Sequence, residues 1–293
     1  MPSSIVELAL RYATASGSAR TPIPTLQILR VDRAQERVHS VHRPSLCFIA
    51  QGAKEVSIGS TVFRYRSMQF CFSSVDLPVA GAVTEATPAK PYLCLALEIE
   101  PSVVLELASA GCAPDASNRS VRAIFVGESD VRMTEAFRRL LECLEHPLDV
   151  ELLAPSVVRE IIYHLLRGPY GNSVRDLGVQ GSQTQRIAKA IEHLRHSFTQ
   201  ALRVEALARI AGMSGSSFHQ HFKQVTTLTP LQYQKRLRLH EARRLLLSDP
   251  AGAADVGFKV GYESPSQFSR EYSRLFGLPP IQEVTRALAQ VAR

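Results

Sequence analysis

The chain has 293 residues, 45% of them hydrophobic, and carries a formal net charge of +7. That is enough apolar material for two ordinary domains, and no apolar run approaches the roughly 18–20 residues that span a bilayer. The start of the chain, MPSSIVE, lacks the basic and apolar regions of a signal peptide, and the five cysteines contain no CxxC pair, so a soluble protein of a reducing cytoplasm is expected, with no disulfide framework and no zinc site.

The first hundred residues read as short strands. Leu26–Val31, Ser45–Ala50, Ala53–Ile58, Thr61–Tyr65 and Tyr92–Ile99 are rich in Val, Ile, Leu and Phe and are bounded by Pro or Gly. Ile58-Gly59-Ser60-Thr61 has the form of a two-residue hairpin, with glycine at a position that takes positive φ. Strands this short and this closely spaced predict a small barrel or sandwich. From about residue 101 the period changes. Phe137, Leu140, Leu141 and Leu144 follow helical spacing, as do Val158, Ile161, Ile162 and Leu165 after a break at Pro147. The two segments predict a helical hairpin whose apolar stripe covers the barrel, pairs with a second subunit, or does both. Gly168–Gly181 holds four glycines and a proline among polar residues and reads as a linker. Helical spacing resumes with Ile187, Ala190, Ile191 and Leu194.

Charge separates the two ends. Residues 181–293 hold 16 Lys and Arg against 8 Asp and Glu, a net of +8, while the rest of the chain nets −1. A basic module joined to a neutral one implies a polyanionic partner.

Residues 204–223 read VEALARIAGMSGSSFHQHFK. A helix-turn-helix needs a small residue where its helices touch, a residue that bends sharply, and apolar residues that lock the second helix down. Ala208 fits the contact and Gly212 the turn, while Leu207, Met213, Phe218 and Phe222 fit the lock, and Ser214 stands at the helix N-cap. Residues 254–276, ADVGFKVGYESPSQFSREYSRLF, repeat the pattern with Gly257, Gly261, and Tyr262, Phe268 and Tyr272; Pro265 suits the first turn of the following helix. Between them, Pro230–Leu247 carries Tyr233, Leu237 and Leu245 at helical spacing. A helix of that length is about 25 Å long, comparable with the roughly 34 Å between successive major grooves on one face of a duplex. Two readers on one stiff connector are thus expected to reach adjacent grooves without dimerising.

The stretch VGYESPSQFSREYSRLFGLPP, residues 260–280, resembles the C-terminal signature of the AraC/XylS family of bacterial transcription regulators, and PLQYQKRLRL, residues 230–239, resembles its linker helix. Upstream, PSLCFIAQGAK at 44–54 and DLPV at 76–79 are similar to the N-terminal domain of one subgroup of that family. The resemblance implies an α+β protein: a cupin-like barrel with a helical hairpin over 1–167, a linker over 168–181, and an all-α tandem helix-turn-helix domain over 182–293. It also implies which side chains meet DNA. In the first recognition helix these are Ser216, His219 and Gln220, with Lys223 near a phosphate. In the second they are Ser266, Gln267, Ser269 and Arg270, with Arg274 near a phosphate. Arginine pairs bidentately with guanine and glutamine with adenine, and lysine supplies salt-sensitive affinity. Arg270 is the leading base contact. Two features depart from the pattern. Gly215, Ser216 and Ser217 are small, which predicts few base contacts from the first helix. Gly252 and Gly257 flank and enter the leading helix of the second unit, at about 1 kcal/mol for each interior glycine, which predicts a weakly ordered scaffold.

Within the family the N-terminal domain binds a small effector, mediates dimerisation, or both, and an activator also meets RNA polymerase. The expected partners are therefore double-stranded DNA, an unidentified small effector, RNA polymerase if the protein activates, and a second copy of the chain; neither a membrane nor a cofactor is called for. His39 and His42 are separated by two residues and lack the tight His-x-His with downstream Glu and His of metal-dependent cupins, so no metal is expected. Cys47, Cys71 and Cys94 sit among apolar residues and read as small core side chains or as a thiol sensor, a choice that turns on exposure and thiolate character. An enzyme would require a clustered catalytic set in the barrel, and neither a metal-ligand cluster nor a nucleophile motif is found there. A third reading, helix-turn-helix units that pack on protein, is left to binding experiments.

Overall fold

The computed structural model describes residues 4–112, 122–248 and 253–291. The chain divides into two compact units, one running to Ala188 and taking in Gln224–Thr227, the other made of Lys189–Lys223 and the chain from Leu228 onward.

The first unit opens with α1 (Ile5–Tyr12). Ser4 and Glu7 form a reciprocal capping box, each side chain accepting from the other's backbone N–H at 3.2 and 2.8 Å. Ten strands follow among the described residues: β1 (Gly17–Arg20), β2 (Leu26–Val31), β3 (Val38–His42), β4 (Ser45–Gln51), β5 (Ala53–Ile58), β6 (Thr61–Arg66), β7 (Gln69–Ser73), β8 (Leu77–Glu85), β9 (Tyr92–Glu98) and β10 (Ile124–Glu128). They form two antiparallel sheets ordered β1-β2-β9-β4-β7-β10 and β3-β8-β5-β6. No ladder joins the two sheets among the described residues, so the architecture is an open cupin-like sandwich, not a closed barrel.

All five anticipated strands are present, within a residue at their ends, and Gly59 turns the β5–β6 hairpin at φ +61°. The other five carry weaker signals. β1 is GSAR and largely exposed, and β3 is an edge strand. β8 contains Pro78, which pairs toward Val41 of β3 beyond the end of the β5 ladder, where its missing N–H leaves no carbonyl of β5 unpaired.

A helical layer covers the larger sheet: α2 (Pro101–Ser109), α3 (Val131–Glu142), a 3₁₀ turn at Cys143–Glu145, α4 (Pro147–Leu152), α5 (Ala154–Arg167) and α6 (Gly171–Gly178). The expected hairpin is α3 and α5, with Pro147 starting the short helix between them. Its stripe lies on the sheet. Phe137, Leu140, Leu141, Ile161, Ile162 and Leu165 share one core with Leu46, Phe48, Leu93, Leu95 and Leu97, and Phe137 stacks on Phe48 at 4.6 Å between centroids. Each such side chain contributes about 1.5–3 kcal/mol on full burial.

The segment read as a linker is built differently. Gly171–Gly178 is helical, and its Val174 and Leu177 belong to the core of the first unit. A Cβ on Gly178 would lie 2.7 Å from the carbonyl oxygen of Pro101 and from the backbone nitrogen of Leu105. This glycine serves the close approach of α6 to α2, not freedom of the chain.

Among the described residues the second unit is all helical: α7 (Gln183–Ser197, which begins in the first unit), α8 (Val204–Ile210), α9 (Gly215–Thr226), α10 (Pro230–Ser248), α11 (Ala253–Lys259), α12 (Pro265–Phe276) and α13 (Pro280–Val291).

Candidate nucleic-acid interface

The first helix-turn-helix is α8 and α9. Leu207, Ala208 and Ala211 are buried, and Gly212 takes φ +59° at the turn. The N–H of Met213 donates to the carbonyl of Ala208, closing the end of α8, and Ser214 Oγ accepts from the N–H of Ser217 at 3.3 Å. Phe218 and Phe222 lie one turn apart with centroids at 5.4 Å, and Phe222 meets Tyr233 of α10 edge-on at 5.5 Å. With the inner face locked, Ser216, His219, Gln220 and Lys223 are all exposed on the outer face. Gln220 and Lys223 form no hydrogen bond or ion pair among the described residues.

The second unit repeats this with different fastenings. α11 meets α12 at Gly257, where a Cβ would come within 3.1 Å of the Phe268 ring. Gly261 turns the chain at φ +93°, Ser264 caps α12 by accepting from the N–H of Gln267, and Pro265 occupies its first turn. Phe268, Tyr272 and Phe276 run down the buried side of α12. Ser266, Gln267, Arg270 and Arg274 are exposed on the other side, and Ser269 is half-buried. Arg270 and Arg274 have no intramolecular partner among the described residues, whereas Gln267 Nε2 donates to Glu271 Oε1 at 3.2 Å. The structure therefore brings the nine sequence-predicted residues onto the outer sides of two helices. Ser269 is the most withdrawn in the second set.

Three clasps were not anticipated from the sequence. Arg238 of α10 donates to the carbonyls of Phe198 at 2.7 Å, Gln200 at 2.8 Å, Thr199 at 3.2 Å and Gly261 at 2.7 Å, while its guanidinium lies 5.8 Å from the Tyr262 ring centroid. One turn earlier, Gln234 Nε2 donates to the carbonyls of Phe198 and Gln200. These bonds tie the chain after α7 to the connector and to the second turn. Glu271 accepts from Lys235 Nζ at 2.7 Å and from the Tyr262 hydroxyl at 2.9 Å; burial and this carboxylate push the Tyr262 hydroxyl up. Glu283 of α13, buried, accepts a two-nitrogen contact from Arg243 and a bond from the Tyr272 hydroxyl at 2.9 Å. Two of the acidic residues of this basic unit are thus neutralised inside it. Helical spacing marks Lys235, Arg238 and Arg243 only as polar positions; their partners lie 23 to 40 residues away and leave no local pattern.

Comparison with known proteins fits both halves. The family model described as AraC-type transcriptional regulator N-terminus matches residues 22–173, about half of the chain, and a helix-turn-helix domain model matches residues 207–286. The HTH-type transcriptional activator RhaS of Escherichia fergusonii is 31% identical over 152 residues, 52% of this chain and 54% of that protein. RhaS of Escherichia coli O1:K1 is 28% identical over 143 residues, 49% of this chain and 51% of its own length. The chain thus spans about half the length of these relatives. Among solved structures, ToxT of Vibrio cholerae bound to an unsaturated fatty acid shares the fold at a TM-score of 0.54, with 7% identity over 88% of this chain and 94% of that one. With the family's N-terminal model over the first unit and paired helix-turn-helix units in the second, this chain belongs to the AraC-type transcriptional regulators.

Proposed function

We propose that the protein is a sequence-specific, DNA-binding transcription regulator whose helices α9 and α12 enter successive major grooves, under the control of a small effector held by the first unit. The observation that carries this reading is the contrast within each recognition helix. The inner face is locked by aromatic side chains, and the outer face presents Gln220, Lys223, Arg270 and Arg274 without intramolecular partners among the described residues. Ser216, His219 and Gln220 would meet bases from α9 and Ser266, Gln267, Ser269 and Arg270 from α12, with Lys223 and Arg274 on phosphates. The Glu271 bond to Gln267 favours a fixed amide, which suits bidentate readout of adenine. A cavity of about 480 Å³ between the sheets of the first unit gives the effector a place. Exposed Leu148 and Leu152 on α4 offer a surface for a second copy, and an activating form would also meet RNA polymerase. Such a protein works in the cytoplasm, by binding and not by turnover; no helix among the described residues is long and apolar enough to cross a membrane.

The test is DNA binding by the full chain against salt and sequence. A preferred duplex should emerge, with log K falling linearly in log salt. Arg270→Ala is expected to lose about 1–3 kcal/mol at one base pair and to relax specificity there, while Arg274→Ala weakens all sequences alike and lowers the salt slope by about 1. A uniform loss for Arg270→Ala makes it a phosphate contact and refutes its assignment. No preference for any duplex sinks the reading as a whole.

A further inference from the structure

Strand alternation sorts the larger sheet of the first unit into two faces. Leu46, Phe48, Leu93, Leu95 and Leu97 point into the core shared with the helices. Their neighbours Cys47 on β4 and Tyr92, Cys94 and Ala96 on β9 therefore point the other way, into the sandwich. Cys71 lies directly opposite Cys47 across the β4–β7 ladder. Three thiols on adjacent strands share one face, and the cavity of about 480 Å³ opens against it, with Cys47, Cys94, Lys54, Arg20, Arg43 and His42 in its wall. Cys47 is partly exposed there, whereas Cys71 and Cys94 are buried. The hydroxyls of Tyr65 and Tyr92 lie buried in the same cluster, beside Cys71 and Cys94.

The chemistry of the three thiols is unequal. A hydrogen bond from Cys94 draws the Cys47 thiol below its ordinary value against the cost of burial, helped by the Lys54 ammonium and by the Ser45 hydroxyl at 4.0 Å. Cys94 is pushed up by the bond it makes to Cys47 and by burial, and Cys71 by burial and by the charge on Cys47. Cys47 is thus the most readily ionised of the three thiols, and Cys94 beside it holds its proton more tightly. Burial and Lys54 hold His42 neutral, down to about 3, so among the described residues the cations lining the cavity are Lys54, Arg20 and Arg43, against the one carboxylate of Glu98.

We propose that this cavity captures small electrophiles covalently, specifically α,β-unsaturated carbonyl compounds that also carry a carboxylate, with Cys47 sulfur as nucleophile and Lys54 as partner of the anion. The sulfur adds to the β-carbon and forms a carbon–sulfur bond. The π pair moves onto the α-carbon and carbonyl as an enolate. The α-carbon then takes one proton, from Cys94 or from water, to leave a thioether with no oxidant and no leaving group. The proposal rests on the reading of the first unit as an effector domain, and names the class of effector.

The full chain is treated at neutral pH with monomethyl fumarate, an anionic electrophile, and with dimethyl fumarate, its neutral counterpart. Adducts are followed by intact mass and peptide mapping, with glutathione as the free-thiol reference. Labelling is expected at Cys47, and the rate of the anion relative to the diester should exceed that on glutathione by at least about tenfold, the scale of one ion pair at a partly solvated site. Lys54→Met should return the ratio to that of glutathione, and Cys47→Ser should keep its circular dichroism and take no adduct in the cavity. Should that serine variant fail to fold, the Lys54→Met ratio decides alone. A glutathione-like ratio in the unaltered chain, or preferential labelling of Cys112, overturns the proposal. The adduct is then assayed on a duplex selected for binding by the untreated chain. A change in affinity supports capture as the control signal; a Cys47 adduct that leaves affinity unchanged preserves the chemistry and refutes the effector reading instead.

Discussion

Two glycines of the second unit share a backbone conformation and differ in what surrounds them. Gly261 has φ +93° and a virtual Cβ 2.2 Å from the carbonyl oxygen of Thr199, whereas Gly277 has φ +86° and nothing within 4 Å. Alanine at Gly277 meets only the left-handed penalty, roughly 1–2 kcal/mol. Alanine at Gly261 meets the same penalty and must also displace a backbone carbonyl that Arg238 holds in place, so a loss of at least about 3 kcal/mol is expected. Urea denaturation of the two variants checks this, and equal losses would show that the Thr199 contact relaxes freely. Gly257 teaches the same lesson from the other side. Its interior position predicts weak order, yet it stands where α11 touches the Phe268 ring, and its helix cost of about 1 kcal/mol is set against a packing contact that a Cβ would crowd. Gly252, the other glycine in that expectation, lies outside the described residues.

At the scale of elements, α10 is more than a spacer. Arg238 gathers four carbonyls from the chain after α7 and from the second turn, bonds that involve a charged donor and are each worth about 1.5–3 kcal/mol before desolvation is counted. Arg238→Met keeps the length of the side chain and removes every donor. It is expected to destabilise the second helix-turn-helix by at least about 2–3 kcal/mol, seen as faster amide exchange across α11 and α12 with α8 and α9 little changed. Arg238→Lys should recover only part of this, because an ammonium on a single stem lacks the guanidinium fork that spans both segments. Uniform exchange through the whole unit would assign Arg238 to general stability. This clasp also marks where sequence reading stops. The recognition helices were legible because each needs a small contact residue, a bending residue and an apolar lock within about twenty positions of chain. The strands β2, β4, β5, β6 and β9 were legible by composition and their Pro and Gly borders. β8 was hidden by Pro78, β1 by its polar surface, and the helix in Gly168–Gly181 by its glycines, of which Gly178 serves a close helix contact. Arg238, Lys235 and Arg243 are basic residues in a basic region, and only the fold distinguishes side chains that brace the second unit from those left exposed on it.

At the scale of the molecule, the two helix-turn-helix units are joined by one helix. With 19 residues α10 is about 28 Å long, and it is fixed at both ends: Tyr233 packs against Phe222 of the first reader, and Leu239, Ala242 and Leu246 lie in the core that holds α12. Successive major grooves on one face of B-DNA recur after about 10–10.5 base pairs, roughly 34 Å, so if α9 and α12 enter successive grooves as proposed, a connector of this stiffness allows one register between the two half-sites. The consequence can be measured on duplexes selected for binding by the full chain, once the half-sites are mapped. Five base pairs inserted between them turn the second groove to the far side of the duplex, and affinity should fall to that of one half-site. Ten inserted base pairs restore the face but carry the groove another 34 Å or so away, beyond the reach of a helix of about 28 Å, so affinity should stay low. The two spacings separate this arrangement from one in which each half-site is read by a different copy of the chain. Copies joined through a pliable contact follow the face of the duplex and regain affinity at ten. Recovery at ten base pairs therefore places the two readings on separate subunits, and a loss at both spacings places them on one rigid pair of helices.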